Sequence, residues 1–208
     1  MPIPRTATIV IAALTACAWL ITVAIGATNG AAATMGFIPA RLSGLVALSG
    51  AVPAALTPLS ATLVHGGFLH LLFNLLMLVW CGNAVERVLG RGALLLLYGV
   101  GAYAAAAAQW LADPASIVPV IGASGAISAV IGAFALSFGE AKRVTKSPRL
   151  NRLLNAAWLL AAWVVLQLMI GWLAGGQGLL LATPAHVGGF LAGLLLQRPL
   201  LLWRYRNA

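Results

Sequence analysis

The run Gly122-Ala123-Ser124-Gly125-Ala126-Ile127-Ser128-Ala129-Val130-Ile131-Gly132-Ala133-Phe134-Ala135-Leu136-Ser137-Phe138 carries no charge and begins with a small-residue turn around a serine. A stretch of this kind lies in hydrocarbon, where no water is at hand to hydrogen-bond a polar side chain. A hydroxyl at that depth must find a partner or serve a purpose. The chain's three histidines, His65, His70 and His186, lie in two other apolar stretches. Polar groups so few and so placed point to one shared site.

The rest of the chain is of the same character. Hydrophobic residues make up 62% and charged residues 7% of the 208 positions, whereas a soluble domain carries about 25% charge. The fold class expected is all-α, a polytopic membrane protein. Six apolar stretches, about 7–27, 61–82, 92–112, 123–139, 154–174 and 184–203, are each near the roughly 20 residues that cross hydrocarbon as a helix. They predict a single six-helix transmembrane domain over 1–208, with no room for a second. No repeat and no matched pair of broken helices is present, which weakens a transporter reading.

Charge sets the orientation. With the N-terminus inside, Arg5, Arg87, Arg91, Lys142, Arg143, Lys146, Arg149, Arg152, Arg198, Arg204 and Arg206 fall on the cytoplasmic side, and Arg41 falls outside. The net charge of +9 therefore reflects topology and attraction to anionic lipid. A nucleic-acid partner is not expected, because the basic residues are divided among four cytoplasmic segments and form no single face. The first stretch is too long for a signal peptide and is read as helix one. Cys17 and Cys81 are read as small buried hydrophobes, not as a bridge. The segment 28–60, with Pro39, Pro53 and Pro58 among apolar residues, reads as a structured outer loop lying partly in the interface. The charged loop 140–149 reads as a lipid-facing connector.

Depth can be counted from the charged inner ends at about 1.5 Å per helical residue. Ser124 then lies roughly 24 Å above Glu140, His70 roughly 24 Å and Asn74 roughly 18 Å above Glu86, and His186 roughly 18–27 Å above Arg198 or Arg204. All four fall near one level, a few ångströms below the outer surface, sheltered yet within reach of water. Small residues at spacing four, Gly125 with Ala129, Ser128 with Gly132, and Gly189 with Gly193, suit close packing of the helices that carry Ser124 and His186. An imidazole within hydrogen-bond reach of a serine can take its proton as the oxygen attacks.

These residues resemble a family. Gly122-Ala123-Ser124-Gly125 is similar to the GxSG motif of the rhomboid intramembrane serine proteases, and His70-Leu71-Leu72-Phe73-Asn74 to their HxxxN on helix two. Ala185-His186-Val187-Gly188-Gly189-Phe190-Leu191-Ala192-Gly193 resembles their AHxxGxxxG on helix six. Order and topology agree, and Gly82 to Gly90 looks like the family's exit from helix two, so the likeness covers roughly 60–195.

The resemblance implies a serine endopeptidase that cuts a transmembrane protein substrate near its outer end, after a small residue where the substrate helix unwinds. In that reading Ser124 is the nucleophile, flanked by Gly122 and Gly125, and His186 is the general base and later acid. No acid completes a triad, since Glu86 and Glu140 are cytoplasmic and Asp113 stands in a loop. The oxyanion would be held by the Ser124 N–H with His70 and Asn74, and His65 would support the site or organise its water. No cofactor and no metal are implied. Loops at Asp113-Pro114 and Gly175-Gly176-Gln177-Gly178 would flank the site as a movable cap, and the compact form suits a bacterial plasma membrane with both termini cytoplasmic.

Two positions depart from the family pattern. Many members carry, four residues after the nucleophile, a tyrosine that packs on the catalytic histidine; here Ser128 stands there, which leaves either a slower enzyme or a clamp supplied elsewhere. The family's Trp-Arg pair in the first outer loop is missing, and Arg41 is not assigned its role. The rival readings are an inactive rhomboid-like binder of transmembrane segments, a three-histidine metal site without the His-Glu-x-x-His spacing, and a proton-coupled carrier. An aspartyl protease is excluded because no apolar stretch carries an aspartate.

Overall fold

Gly90 divides two long helices, and its backbone explains how: φ is +88°, a value that only glycine adopts without strain. In the computed structural model, which describes residues 6–138, 144–173 and 182–206, the chain forms α1 (Ala7–Ala24), α2 (Thr28–Met35), α3 (Pro39–Leu42), α4 (Thr57–Ser60), α5 (Phe68–Leu89), α6 (Arg91–Ala112), α7 (Ser124–Phe138), α8 (Pro148–Leu173) and α9 (Thr183–Arg204). Among the described residues α1, α5, α6 and α9 are long and apolar enough to cross a membrane. Helix α7 is shorter, with 15 residues or roughly 22 Å of rise, against about 30 Å of hydrocarbon. The shortest of the expected stretches is thus a short helix, and its first residue is Ser124, so the helix begins at the serine.

The boundary expected for the second helix needs correction. Residues 61–67, read as its first turns, form a 3-10 turn, Ala61–Leu63, and a loop, and the helix runs from Phe68 to Leu89. Gly66 and Gly67 break the apolar run, with Gly67 fully extended at φ 173°. His65 consequently lies in the loop before α5 and not on the helix. At the other end the helix runs past the expected bound at 82 to Leu89, and the chain leaves it at Gly90. A Cβ on Gly82 would stand 2.9 Å from the Thr8 side chain, so this glycine lets α1 approach while α5 continues for two more turns. Helix α8 also starts earlier than 154, at Pro148. Proline suits the first turn of a helix, and Ser147 Oγ accepts from Leu150 N at 3.3 Å.

The centre of the fold is formed by α6, α7 and α9, which pack on one another, with α5 against α7 and α1 outside α5. Leu94, Leu97, Ile127, Val130 and Phe190 are buried there. The approach of α7 to α9 depends on glycine: a Cβ on Gly189 would collide with the Gly125 carbonyl, one on Gly193 with the Ala129 carbonyl, and one on Gly132 with the Phe190 carbonyl. Backbone cannot yield as a flexible side chain does. Helix α1 is held by Glu86 of α5, whose carboxylate accepts from Ala7 N at 2.8 Å, Thr8 N at 2.9 Å and Thr8 Oγ at 2.6 Å. These are N–H groups that a helix start leaves without internal partners.

The segment 28–60, expected as an outer loop, is structured. Phe37 and Val120 exchange two backbone hydrogen bonds, at 2.9 and 2.8 Å, while Ala40 N donates to Ser116 O at 3.0 Å and Gly122 N to Ala61 O at 2.9 Å. These contacts clamp the segment that leads into Ser124. Trp110 ties the same region by donating from Nε1 to Ser43 Oγ at 2.8 Å. Arg41 Nη2 donates to the Val52 carbonyl at 2.8 Å and closes the loop on itself.

Candidate active site

Ser124 and His186 are 62 positions apart and meet: Ser124 Oγ lies 2.9 Å from His186 Nε2. Both side chains are buried, 6% and 7% exposed. The contact is a consequence of helix packing. Ser124 opens α7 and His186 sits in the first turn of α9, one turn before Gly189, the glycine that lets the two backbones touch. With the proton on Nδ1, Nε2 accepts from the hydroxyl, which is the arrangement needed to draw off the serine proton.

The turn before the serine is equally specified. Gly122 has φ +107°, outside the range of ordinary side chains. A Cβ there would stand 2.6 Å from His70 Nε2 and 3.8 Å from Ser124 Oγ. The His70 imidazole therefore reaches the glycine face, beside the serine. A Cβ on Gly125 would be 2.6 Å from the Ala105 side chain, so this second glycine lets α6 in.

Asn74 is fully buried one turn along α5, where its Nδ2 donates to the His70 carbonyl at 2.7 Å and its Oδ1 has no partner. His65 is fully buried beside His70, ring centroids 4.9 Å apart. Its Nε2 accepts a long hydrogen bond, 3.4 Å, from the N–H of Ala123. His65 thus ties the loop before α5 to the residue preceding the serine.

Ser124 and His186 line a cavity of about 30 Å³ together with Ala105, Ala126, Ala185, Val120, Phe37 and Thr62. That is room for about two waters, and its walls are mostly small. Among the described residues the acids are elsewhere: Glu86 is occupied on α1, and Asp113 accepts from Ala115 N at 3.2 Å in its own turn. Among the described residues no cluster of histidine, cysteine and acid is arranged to hold a metal ion. The expected cap at Gly175-Gly176-Gln177-Gly178, Arg5, and Glu140 to Arg143 of the charged loop lie outside the described residues.

One neighbour of the site escapes a reading of motifs. Trp163, in the middle of α8, is 3% exposed and donates from Nε1 to Ser128 Oγ at 2.7 Å. Ser128 Oγ donates in turn to the Ser124 carbonyl at 2.7 Å. The signal available in the sequence is a tryptophan at mid-span, far from the interfaces where its N–H would find water.

An all-α membrane bundle with a serine and a histidine joined at the first turns of two packed helices is the class defined by this geometry. The rhomboid domain model matches residues 54–203, and the chain belongs to the rhomboid family. RHOMBOID-like protein 5 of Arabidopsis thaliana is 31% identical over 144 residues, 69% of this chain and 43% of the relative. Rhomboid protease GlpG of Pectobacterium atrosepticum is 33% identical over 138 residues, 66% of this chain and 45% of the relative. GlpG of Yersinia pestis is 31% identical over 150 residues, 72% of this chain and 48% of the relative. The chain spans less than half the length of these curated relatives. Family and apolar helices together make it an integral, multi-pass membrane protein.

Proposed function

We propose that this protein is an intramembrane serine endopeptidase working through a Ser124–His186 dyad on a peptide bond in or near the transmembrane segment of a membrane-protein substrate. The observation that carries the reading is the 2.9 Å contact between Ser124 Oγ and His186 Nε2 in a buried, small-walled hollow. Family membership and relatives named rhomboid proteases support it.

Ser124 Oγ attacks the substrate carbonyl carbon as its proton passes to His186 Nε2, giving a tetrahedral oxyanion. The Ser124 N–H belongs to the first residue of α7, where helical N–H groups lack internal acceptors and the helix dipole favours negative charge. It and the His70 and Asn74 side chains are the donors assigned to the oxyanion. Collapse expels the amine, which takes the proton from His186, and leaves an acyl ester on Ser124. Water, deprotonated by His186, then attacks the ester and releases the acid. His65, Gly122 and Gly125 shape the turn that presents the serine.

The hollow's small walls suit a small residue before the cleaved bond, and a firm helix hides its peptide bonds, so a substrate must unwind locally. From the basic residues we read both termini as cytoplasmic and the site as opening to the outer side; a bacterial plasma membrane is the setting proposed. A fluorogenic transmembrane peptide containing a helix-breaking residue tests the reading. Cleavage by the wild type and none by Ser124→Ala is expected; equal cleavage by both refutes it.

A further inference from the structure

We propose that Trp163 of α8 is the positioning residue of His186, holding the imidazole so that Nε2 meets Ser124 Oγ and thereby making the seat of α8 against α7 a determinant of dyad geometry. The inference rests on the dyad reading above. His186 is hydrogen-bonded through Nε2 to the serine, while Glu86 and Asp113 are engaged elsewhere. An imidazole without an acid to hold it must be oriented by packing.

Trp163 supplies that packing. Its ring centroid lies 6.3 Å from that of His186 at an interplanar angle of 69°, an edge contact, and such aromatic geometries are favourable. The indole cannot slide, because Nε1–H is bound to Ser128 Oγ at 2.7 Å and Ser128 Oγ–H is bound to the Ser124 carbonyl at 2.7 Å. A relay of two hydrogen bonds thus runs from α8 to the backbone of the serine itself, while the same indole packs against the histidine in a T-shaped contact. In hydrocarbon either polar group left alone would be costly, so the two hold each other in register.

The placement of Trp163 on α8 gives the contact its leverage. Leu153, Trp158, Val165, Met169 and Trp172 of that helix are 53–78% exposed, while Trp163 is 3% exposed. Among the described side chains the other buried residues of α8 are Asn151 and Ala156, both nearer its N-terminal end. Near the site, Trp163 is the buried side chain of α8 among those described, with Leu159, Leu160 and Leu166 partly buried beside it, and a sideways movement of α8 withdraws the ring from His186 and breaks the bond to Ser128 together.

The test compares steady-state cleavage of the fluorogenic transmembrane peptide by wild type, Trp163→Ala, Trp163→Phe, Ser128→Ala and the double variant Ser128→Ala/Trp163→Phe in proteoliposomes. Misplacement of a reacting group by an ångström costs up to about 10²-fold, so Trp163→Ala is expected to lower kcat by roughly 10- to 10²-fold with KM within about twofold. Trp163→Phe, which keeps a ring, recovers part of that loss. Ser128→Ala and Trp163→Phe break the same bond, so their costs do not add. Trp158→Ala, exposed on the same helix, leaves kcat unchanged.

Full additivity, a rise in KM at constant kcat, or wild-type kcat in Trp163→Ala overturns the inference. Should Trp163→Ala fail to fold, the phenylalanine and serine variants decide it. A wild type that neither cleaves the peptide nor reacts at Ser124 with a fluorophosphonate would refute the dyad reading instead.

Discussion

Gly122→Ala is the substitution whose effect can be worked furthest from the structure. The added Cβ would stand 2.6 Å from His70 Nε2 and 2.7 Å from its Cε1. Carbon contacts settle near 3.5–4.0 Å, so the imidazole must retreat by roughly 1 Å. Ser124 Oγ, at 3.8 Å from the new carbon, is in ordinary contact and keeps its bond to His186. The φ of +107° adds strain of about 1–3 kcal/mol, and the Gly122 N–H bond to the Ala61 carbonyl, 2.9 Å, opposes relaxation of the turn. A donor drawn back by an ångström is largely lost to the oxyanion, and loss of one such donor lowers turnover about 10²–10³-fold. Peptide kinetics in proteoliposomes should show kcat falling by about 10²-fold while KM changes little. Turnover within about threefold of wild type would refute the reasoning, because His70 would then be able to move without consequence.

Two further predictions concern what holds the site in place. Gly193→Val drives a side chain into the Ala129 carbonyl; overpacking of a well-filled interior costs about 1–3 kcal/mol and here presses on backbone, so thermal unfolding in detergent shifts downward and activity is lost with the fold. A stable, active variant would contradict the packing account of α7 and α9. Glu86→Ala strips three hydrogen bonds from the start of α1; buried donors left without acceptors cost about 1–3 kcal/mol, so melting falls while low-temperature turnover persists, and an unchanged melting curve would count against the cap.

The fold and the site differ in how far the sequence discloses them. The helices that carry Ser124 and His186 are legible because apolar runs of the right length with few charges admit few arrangements in hydrocarbon, and because small residues at spacing four mark which faces touch. The start of α5 is not legible from hydropathy, since Ala61 to Val64 are as apolar as the helix that follows, and only the Gly66-Gly67 pair separates them. The early start of α8 is hidden for the opposite reason: Arg149, Asn151 and Arg152 look like loop, although Pro148 and Ser147 form a good helix start. Trp163 is hidden because its meaning depends on how far α8 is rotated and slid against α7, a tertiary register that no local pattern encodes. Ser128 reads from sequence as a missing tyrosine; with the structure in hand it is the acceptor for the indole of another helix.

The most direct measurement is the rate at which a fluorophosphonate modifies the protein in membranes, with the modified peptide identified by mass spectrometry. The account predicts an adduct on Ser124 in the wild type, none in Ser124→Ala, and a rate in His186→Ala lowered by several orders of magnitude. Modification of another residue, or equal labelling with and without His186, would contradict it.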